Sequence, residues 1–541
     1  MLGYGSDLRA RAYNRKDDDL IPRPVNATVL PALLLCCAPA WGQALERGNG
    51  PEPSTLDAHR CPEVACANIL RDLYEGLVAE DGAGRLIPGM AQRWEVSGDG
   101  RTWTFHLRPG LRWSNGEPLD APQVVASFRR AFAPLTAAPF AGHFDAIGNA
   151  ARVQRGELPP ARLGVSAPDP ATVVFRLSRS ADLPRLLTLP TAYPVYLPAI
   201  VEHGAQHTRP GKLVVNGAYQ LADWLPQAMI TLERNPRFRE PAPIARVRFH
   251  VTEDASSELK RFESGGLHIT ETVPPQPLPQ LRERFGSQLR ISPYLGAFWL
   301  GFNLARPPFE SNAALREAMS LAINREILTR HVTGLGETPA YGLVPPGVAD
   351  YAPASLGWAR STQAQREALA RQRYRQAGYG PGKPLELELR YNTSTPHRRL
   401  ALAVAAMWRE VLGAKVRLRN EEWKVFVGNR RQKVITQVFR GGWIADVDDA
   451  RNFLDGFRAD SASNWTGYDD ARFTALLDAA DLAPTLAARA SLLRQAEARL
   501  LSAHALVPVY FYTSKHLVRP EVQGFQANPL DRHPSRFLRL R

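Results

Sequence analysis

Asp446, Asp448 and Asp449 crowd together in the segment RGGWIADVDD (residues 440–449), next to Arg440, two glycines and Trp443. Clustered carboxylates can ligate a metal, work as an acid–base pair, or hold a cationic ligand. A calcium loop needs regularly spaced oxygens closed by a glutamate, and DVDDARNFLDG lacks that pattern. A glycosidase pair needs two carboxylates at a set separation across the scissile bond, which neighbouring positions do not provide by themselves. A binding role suits the flanks. Gly441 and Gly442 would let a foreign backbone come close, so an extended peptide could add as a strand and leave its side chains to pockets. Such a ligand carries an ammonium at one end and a carboxylate at the other, matching an acid and a cation such as Arg440. The residue types alone are also compatible with ordinary strand and loop charges.

Other chemistry-bearing groups are sparse. There is no G-x-S-x-G elbow, no G-x-x-x-x-G-K-[ST] phosphate loop and no H-E-x-x-H zinc helix. His203 and His207 lie one helical turn apart, but no third ligand is evident. No catalytic residue, cofactor or metal site is therefore expected. Cys61 and Cys66 are read as a local disulfide formed in an oxidising compartment. Two free thiols are the alternative, and a metal site with His59 lacks four visible ligands.

The elements that must hold these groups alternate between strands and helices. RTWTFHL places Trp103, Phe105 and Leu107 on one face of a strand. LDAPQVVASFRRAF predicts a helix, with Asp120 as N-cap, Pro122 in the first turn, and Val124, Phe128 and Phe132 four apart. ARVRFHV reads as another strand. HRRLALAVAAMWREVLGAKVRLRN reads as a helix stopped near Gly413 and then a strand. LAARASLLRQAEARLLSAHALVPVYFY repeats that order. VPPQPLPQ and LVPPGVADYAP read as loops. The result is a large α/β protein of more than one lobe.

The formal charge of +14 is scattered rather than blocked, with no basic stripe interleaved with aromatics, so nucleic acid is not an expected partner. VNATVLPALLLCCAPAWGQA (residues 25–44) is interrupted by Pro31 and Pro39 and makes a poor membrane span. It reads as the apolar core of a secretory signal ending before Leu45. The preceding RKDDDL is too acidic for such a leader, which points to a true start near Leu20. A lipid anchor at Cys36 lacks the small residue expected before it.

In order and spacing, NGPEPSTLDAHR, RDLYEGLV, WTFHLRPGLRWSNGEPL, VNGAYQL, LERNPRF, LREAMSLAINREIL, YNTSTPHRRLALAVAAMW, RGGWIAD and VPVYFY resemble the periplasmic oligopeptide-binding proteins of ABC importers, within bacterial solute-binding protein family 5. The resemblance implies a two-lobed periplasmic binding protein clamp of class II type with an additional domain. Lobe I would comprise 45–74, 199–295 and 513–541, the extra domain 75–198 and lobe III 296–512, with 1–44 a leader. It implies a non-catalytic, monomeric periplasmic receptor that encloses short peptides and delivers them to a membrane permease. Relatives bind murein peptide, haem or a nickel chelate, and a cell-wall peptide hydrolase would be the reading from another class.

By the same resemblance, Asp446 would meet the peptide ammonium, and Arg440 and His397 its carboxylate. Gly442 and Ile444 would pair with its main chain, with Val64 contributing from the other lobe. Trp423, Trp443, Trp299 and Tyr512 would line pockets, with Arg430 nearby. Two positions depart from enteric relatives. A disulfide of theirs falls at Gly296 and Ile444 here, and a lysine they use for short ligands is replaced near Thr333.

Overall fold

The computed structural model describes residues 44–541. The expected leader therefore lies outside the described residues, apart from Ala44.

Local signals set the elements that frame the site. Asp120 caps the helix Ala121–Phe132, and its capping box is completed by Gln123. The helix lays Val124, Phe128 and Phe132 onto a four-stranded antiparallel sheet containing Ala91–Val96, Thr102–Leu107, Val165–Asp169 and Thr172–Arg176. The helix Thr395–Leu412 ends on Gly413, whose φ of 72° is left-handed, and the strand Lys415–Glu421 follows. One loop expectation is corrected. VPPQPLPQ does not stay irregular to its end, because the helix Leu278–Phe285 begins inside it. Pro277 is the N-cap and Pro279 lies in the first turn, where a missing N–H costs no helical bond.

A second four-stranded sheet is ordered Leu45–Gly48, Arg246–His250, Met229–Arg234, Tyr219–Leu225, and the first two strands run parallel. Its core takes in the helix Val64–Leu73. The largest sheet has six strands, in the order Thr338–Pro339, Leu506–Leu517, Leu289–Phe302, Val438–Ile444, Glu386–Asn392, Lys415–Glu421. Each of its faces carries its own apolar cluster. Phe298, Leu389, Val404 and Trp408 belong to one, and Trp299, Phe439, Leu477 and Leu500 to the other.

Two long strands tie the sheets together. Leu289–Pro293 pairs with Leu517–Thr513, the register then shifts, and Ala297 onward pairs from Phe511. Ile269 bridges both Arg47 and Val518, joining this ladder to the sheet that holds Leu45–Gly48.

The loop LVPPGVADYAP is irregular as expected, yet fixed. Buried Glu497 accepts from the backbone N–H groups of Leu343, Val344 and Ala354 and from the Tyr351 hydroxyl. Burial raises its pKa, and these bonds oppose the rise.

Candidate functional site

The strand Val438–Ile444 has one edge covered and the other mostly open. It runs antiparallel to Leu289–Phe302, with Gly296 opposite Ile444 and Phe298 opposite Gly442. On its far side, pairing with Glu386–Asn392 stops at Phe439. The bond from Ala445 N–H to the Leu295 carbonyl fixes which residues face the covered edge. By antiparallel alternation, the main-chain groups of Gly442 and Ile444 point to the open one. A strand could add there.

Asp446 stands at one end of this edge. Its carboxylate lies 3.3 Å from Nε2 of His143, and its backbone is clamped on both sides. The Asp446 N–H donates to Asn452 Oδ1 at 3.1 Å, and its carbonyl accepts from Arg532. Asp446, Ile444 and Val64 line one cavity of 380 Å³, together with Asn68, Arg71, Glu271 and Asp531. Val64 and Ile444 are 52% and 42% exposed, so both present apolar surface to that space.

Cys61 and Cys66 are bridged, with Cα atoms 5.9 Å apart. The closed loop holds Val64 at the start of its helix.

The neighbouring acids have other work. Asp448 accepts from the Ala349 N–H at 2.9 Å and faces Arg185. Asp449 pairs with Arg489 at 2.9 Å and caps the Arg451 N–H. Burial raises the pKa of Asp448.

At the other end the charges are cationic. Arg440 Nε donates to Asn392 Oδ1 at 2.7 Å, and its guanidinium sits 5.3 Å from the Trp423 ring and 5.5 Å from Phe426. His397, in the first turn of its helix, lies beside Phe298, and its Nδ1 is buried without a hydrogen-bond partner. Burial, then the nearby Arg440 charge, pushes the His397 pKa down to about 4. Arg430 is 5% exposed and stacks on Trp465 with its guanidinium carbon 3.4 Å from the ring centre. Burial, then Arg440, lowers it to about 9. Among the described residues no carboxylate pairs with Arg440, Arg430 or His397. With Arg440 and Arg430 charged and His397 neutral above about pH 4, the arginines make this end of the strand an uncompensated positive site.

The sequence-based assignments divide by face. Arg440, Gly442 and Ile444 alternate onto the face that carries Phe298 and Tyr512, and the Tyr512 hydroxyl would sit 3.1 Å from a Cβ built on Gly442. Trp443 projects to the opposite face and donates to Asn452. Trp299 shares that second face, but it is 3% exposed and packed against Trp465, Phe439 and Phe457, so it does not border the site. Gly441 also needs correction. A Cβ there would lie 2.5 Å from the Trp299 ring, so this glycine makes room for a core tryptophan rather than for a ligand.

His203 and His207 do not converge on one point: His203 faces Glu202, and His207 faces Asp57. The Thr333 hydroxyl donates to the Thr329 carbonyl.

Residue types alone did not reveal His143, Asn392, Phe298 or Arg532. Asn392 had the clearest signal, since it lies in the YNTS stretch that leads to His397.

The open edge, a carboxylate at one end, cations at the other and sheets joined by crossing strands together define a two-lobed solute-binding clamp. The profile of the bacterial extracellular solute-binding proteins, family 5 (middle region), matches residues 85–465, and the chain belongs to that family. It is 35% identical over 498 residues to the periplasmic oligopeptide-binding protein OppA of Salmonella typhimurium, covering 90% of this chain and 91% of that one. It is 34% identical over 495 residues to the probable deoxycholate-binding periplasmic protein YgiS of Escherichia coli, covering 90% and 92%. Among solved structures it is similar to the Escherichia coli murein tripeptide binding protein MppA. There the TM-score is 0.80 at 32% identity, over 93% of this chain and 99% of that one.

Proposed function

We propose that this chain is an exported receptor that captures short peptides in extended form and passes them to an ABC transporter permease, without chemical change. The observation that carries the reading is the open strand edge at Gly442 and Ile444, with Asp446 at one end and Arg440 and His397 at the other. An added strand would bond its main chain to that edge and send successive side chains to opposite faces. Tyr512 and Trp423 would then serve one set of side chains and Trp443 the other. Val64 would close on the ligand from the helix Val64–Leu73. Arg430 supports the positive field without touching the ligand.

From Arg440 to Ile444 is four strand steps, roughly 13 Å at about 3.3 Å each, and Asp446 follows two residues beyond the strand. That span suits peptides of a few residues with both ends free. Arg440 and His397 lie on different segments and would serve ligands of different length. The reading includes 45–74, 199–295 and 513–541 as lobe I, 75–198 as the extra domain and 296–512 as lobe III. It also includes removal of the leader before Leu45, residence in the periplasm and action as a monomer. A bile acid carries a carboxylate but no ammonium, so Asp446 would have no partner in a deoxycholate-type ligand. A murein tripeptide fits within the peptide reading.

The direct test is mass spectrometry of ligands released from denatured, freshly purified protein. Short peptides with free termini are expected. Recovery of a bile acid or a haem instead would overturn the reading.

A further inference from the structure

We infer that His516, Asp531 and His533 form a binding site for a divalent cation of the zinc class, separate from the residues assigned to the peptide termini. The three side chains come from two segments that meet beside the cavity: the end of the strand Leu506–Leu517 and the C-terminal DRH stretch, residues 531–533. His516 Nε2 lies 2.8 and 3.0 Å from the two Asp531 oxygens, and His533 Nε2 lies 3.0 Å from Oδ1. All three ligand atoms fall within 4.8 Å of one another. Two imidazole nitrogens and a carboxylate oxygen make a donor set that zinc accepts, with a fourth position left for water or a solute donor.

The surroundings support a built site rather than a chance meeting. The His516 Nδ1–H donates to the Thr270 carbonyl at 2.7 Å, and its Nε2–H donates to Asp531, a proton that a bound ion would displace. A metal-bound histidine is held by this kind of outer bond. His533 stacks on Phe525 with ring centres 4.0 Å apart, and its ring stands nearly perpendicular to that of His516. Both imidazoles are 6% exposed at the side chain and Asp531 is 18% exposed. Asp531 also lines the 380 Å³ cavity that holds Asp446, so the carboxylate borders the ligand space. Ligand atoms around a tetrahedral zinc stand about 3.4 Å apart. The contacts to Asp531 would open by roughly half an ångström, and the two imidazole nitrogens, within 4.8 Å of one another, would settle to the same spacing around the ion. Such an ion would fasten the crossing strand to the C-terminal segment next to the ligand space.

The test uses the mature chain without a histidine tag, stripped with chelator and titrated with Zn²⁺ by calorimetry and with Co²⁺ by visible absorption. One ion per chain is expected, with the intense visible bands of tetrahedral cobalt and a higher unfolding temperature in the loaded protein. His533→Phe keeps the stack on Phe525, and His516→Arg keeps a cation opposite Asp531, so both variants should fold. Each should lose more than the roughly 10- to 100-fold in affinity that removal of an outer-shell partner costs. Absence of uptake by the wild type would overturn the assignment, as would stoichiometric uptake unchanged in both variants. Peptide binding by the stripped protein is a separate readout, so failure here leaves the receptor reading intact.

Discussion

The Asp446 carboxylate lies 3.3 Å from Nε2 of His143, a residue of a distant segment that also carries the helix Ala121–Phe132. Asn452 and Arg532 grip the Asp446 backbone from either side, so the acid is aimed before any ligand arrives. Preorganisation of this kind lowers the ordering cost of binding. It also separates Asp446 from the two acids beside it, whose oxygens already have fixed partners.

Asp448→Asn and Asp449→Asn should therefore lower stability rather than affinity. Each weakens a charge-assisted contact, to Arg185 and Ala349 or to Arg489 and Arg451. The expected loss is about 1–3 kcal/mol in urea unfolding, with peptide affinity changed less than about threefold, under 0.7 kcal/mol. A large affinity loss at unchanged stability would assign one of these acids to the ligand.

Arg440→Ala should weaken peptides with a free C-terminal carboxylate by at least about a hundredfold, because the charge is enclosed without a partner. The matching C-terminal amides should lose much less. Titrating both ligands into both proteins checks this. Equal losses for acid and amide would make Arg440 a purely structural partner of Asn392.

The buried histidines give the fold an acid limit. His59, His397 and His504 are each pushed down to about 4 by burial first, and then by Arg130, Arg440 and Arg316 respectively. A free imidazole titrates near 6.5, so between these values the unfolded chain binds more protons than the folded one. Their contribution is intact above pH 6.5 and is lost as pH falls through about 4. Unfolding free energy measured across that window should fall with acidification, and His397→Gln should make the slope shallower by up to one proton. A slope unchanged in the variant would mean that His397 titrates normally.

Gly296 faces Ile444 across the strands, and a Cβ on it would stand 2.8 Å from the Tyr512 ring and 3.2 Å from Ile444. Gly296→Val should push Tyr512 off its seat beside Gly442, costing about 1–3 kcal/mol of stability and weakening peptides about tenfold, near 1.4 kcal/mol. The double variant with Tyr512→Leu should recover much of the stability. A stable, fully binding Gly296→Val would show that this space is not filled as described.

Much of the architecture was legible because it rests on local signals. The Asp120 cap, the four-residue spacing of Val124, Phe128 and Phe132, and the Gly413 stop each act within a turn or two. The glycines were less legible. Gly441 looked like an opening for a ligand, but the Trp299 ring fills it, and only strand register could put those two residues together. Trp299 likewise read as a pocket aromatic, yet the period-two alternation of its strand turns it into the core. The Asp446–His143 and His516–Asp531–His533 meetings join segments with no shared motif, so no spacing along the chain announces them. The helical start within VPPQPLPQ was missed for the opposite reason: proline density suggested a loop at a place where proline suits a first turn.

Asp446 carries the central claim, and a four-way calorimetric cycle tests it most directly. A clamp that accepts many sequences must bind what all peptides share, and an enclosed ammonium needs a paired, hydrogen-bonded acid. Wild type and Asp446→Asn are each titrated with one peptide bearing a free amino terminus and with its N-acetylated form. For the free peptide the variant should bind at least about a hundredfold more weakly, near 3 kcal/mol. The wild type should bind the acetylated form poorly, and the variant should barely distinguish the two ligands, giving a large coupling energy. If the variant instead loses the same free energy for both ligands, Asp446 does not meet the ammonium and the peptide-terminus account is contradicted.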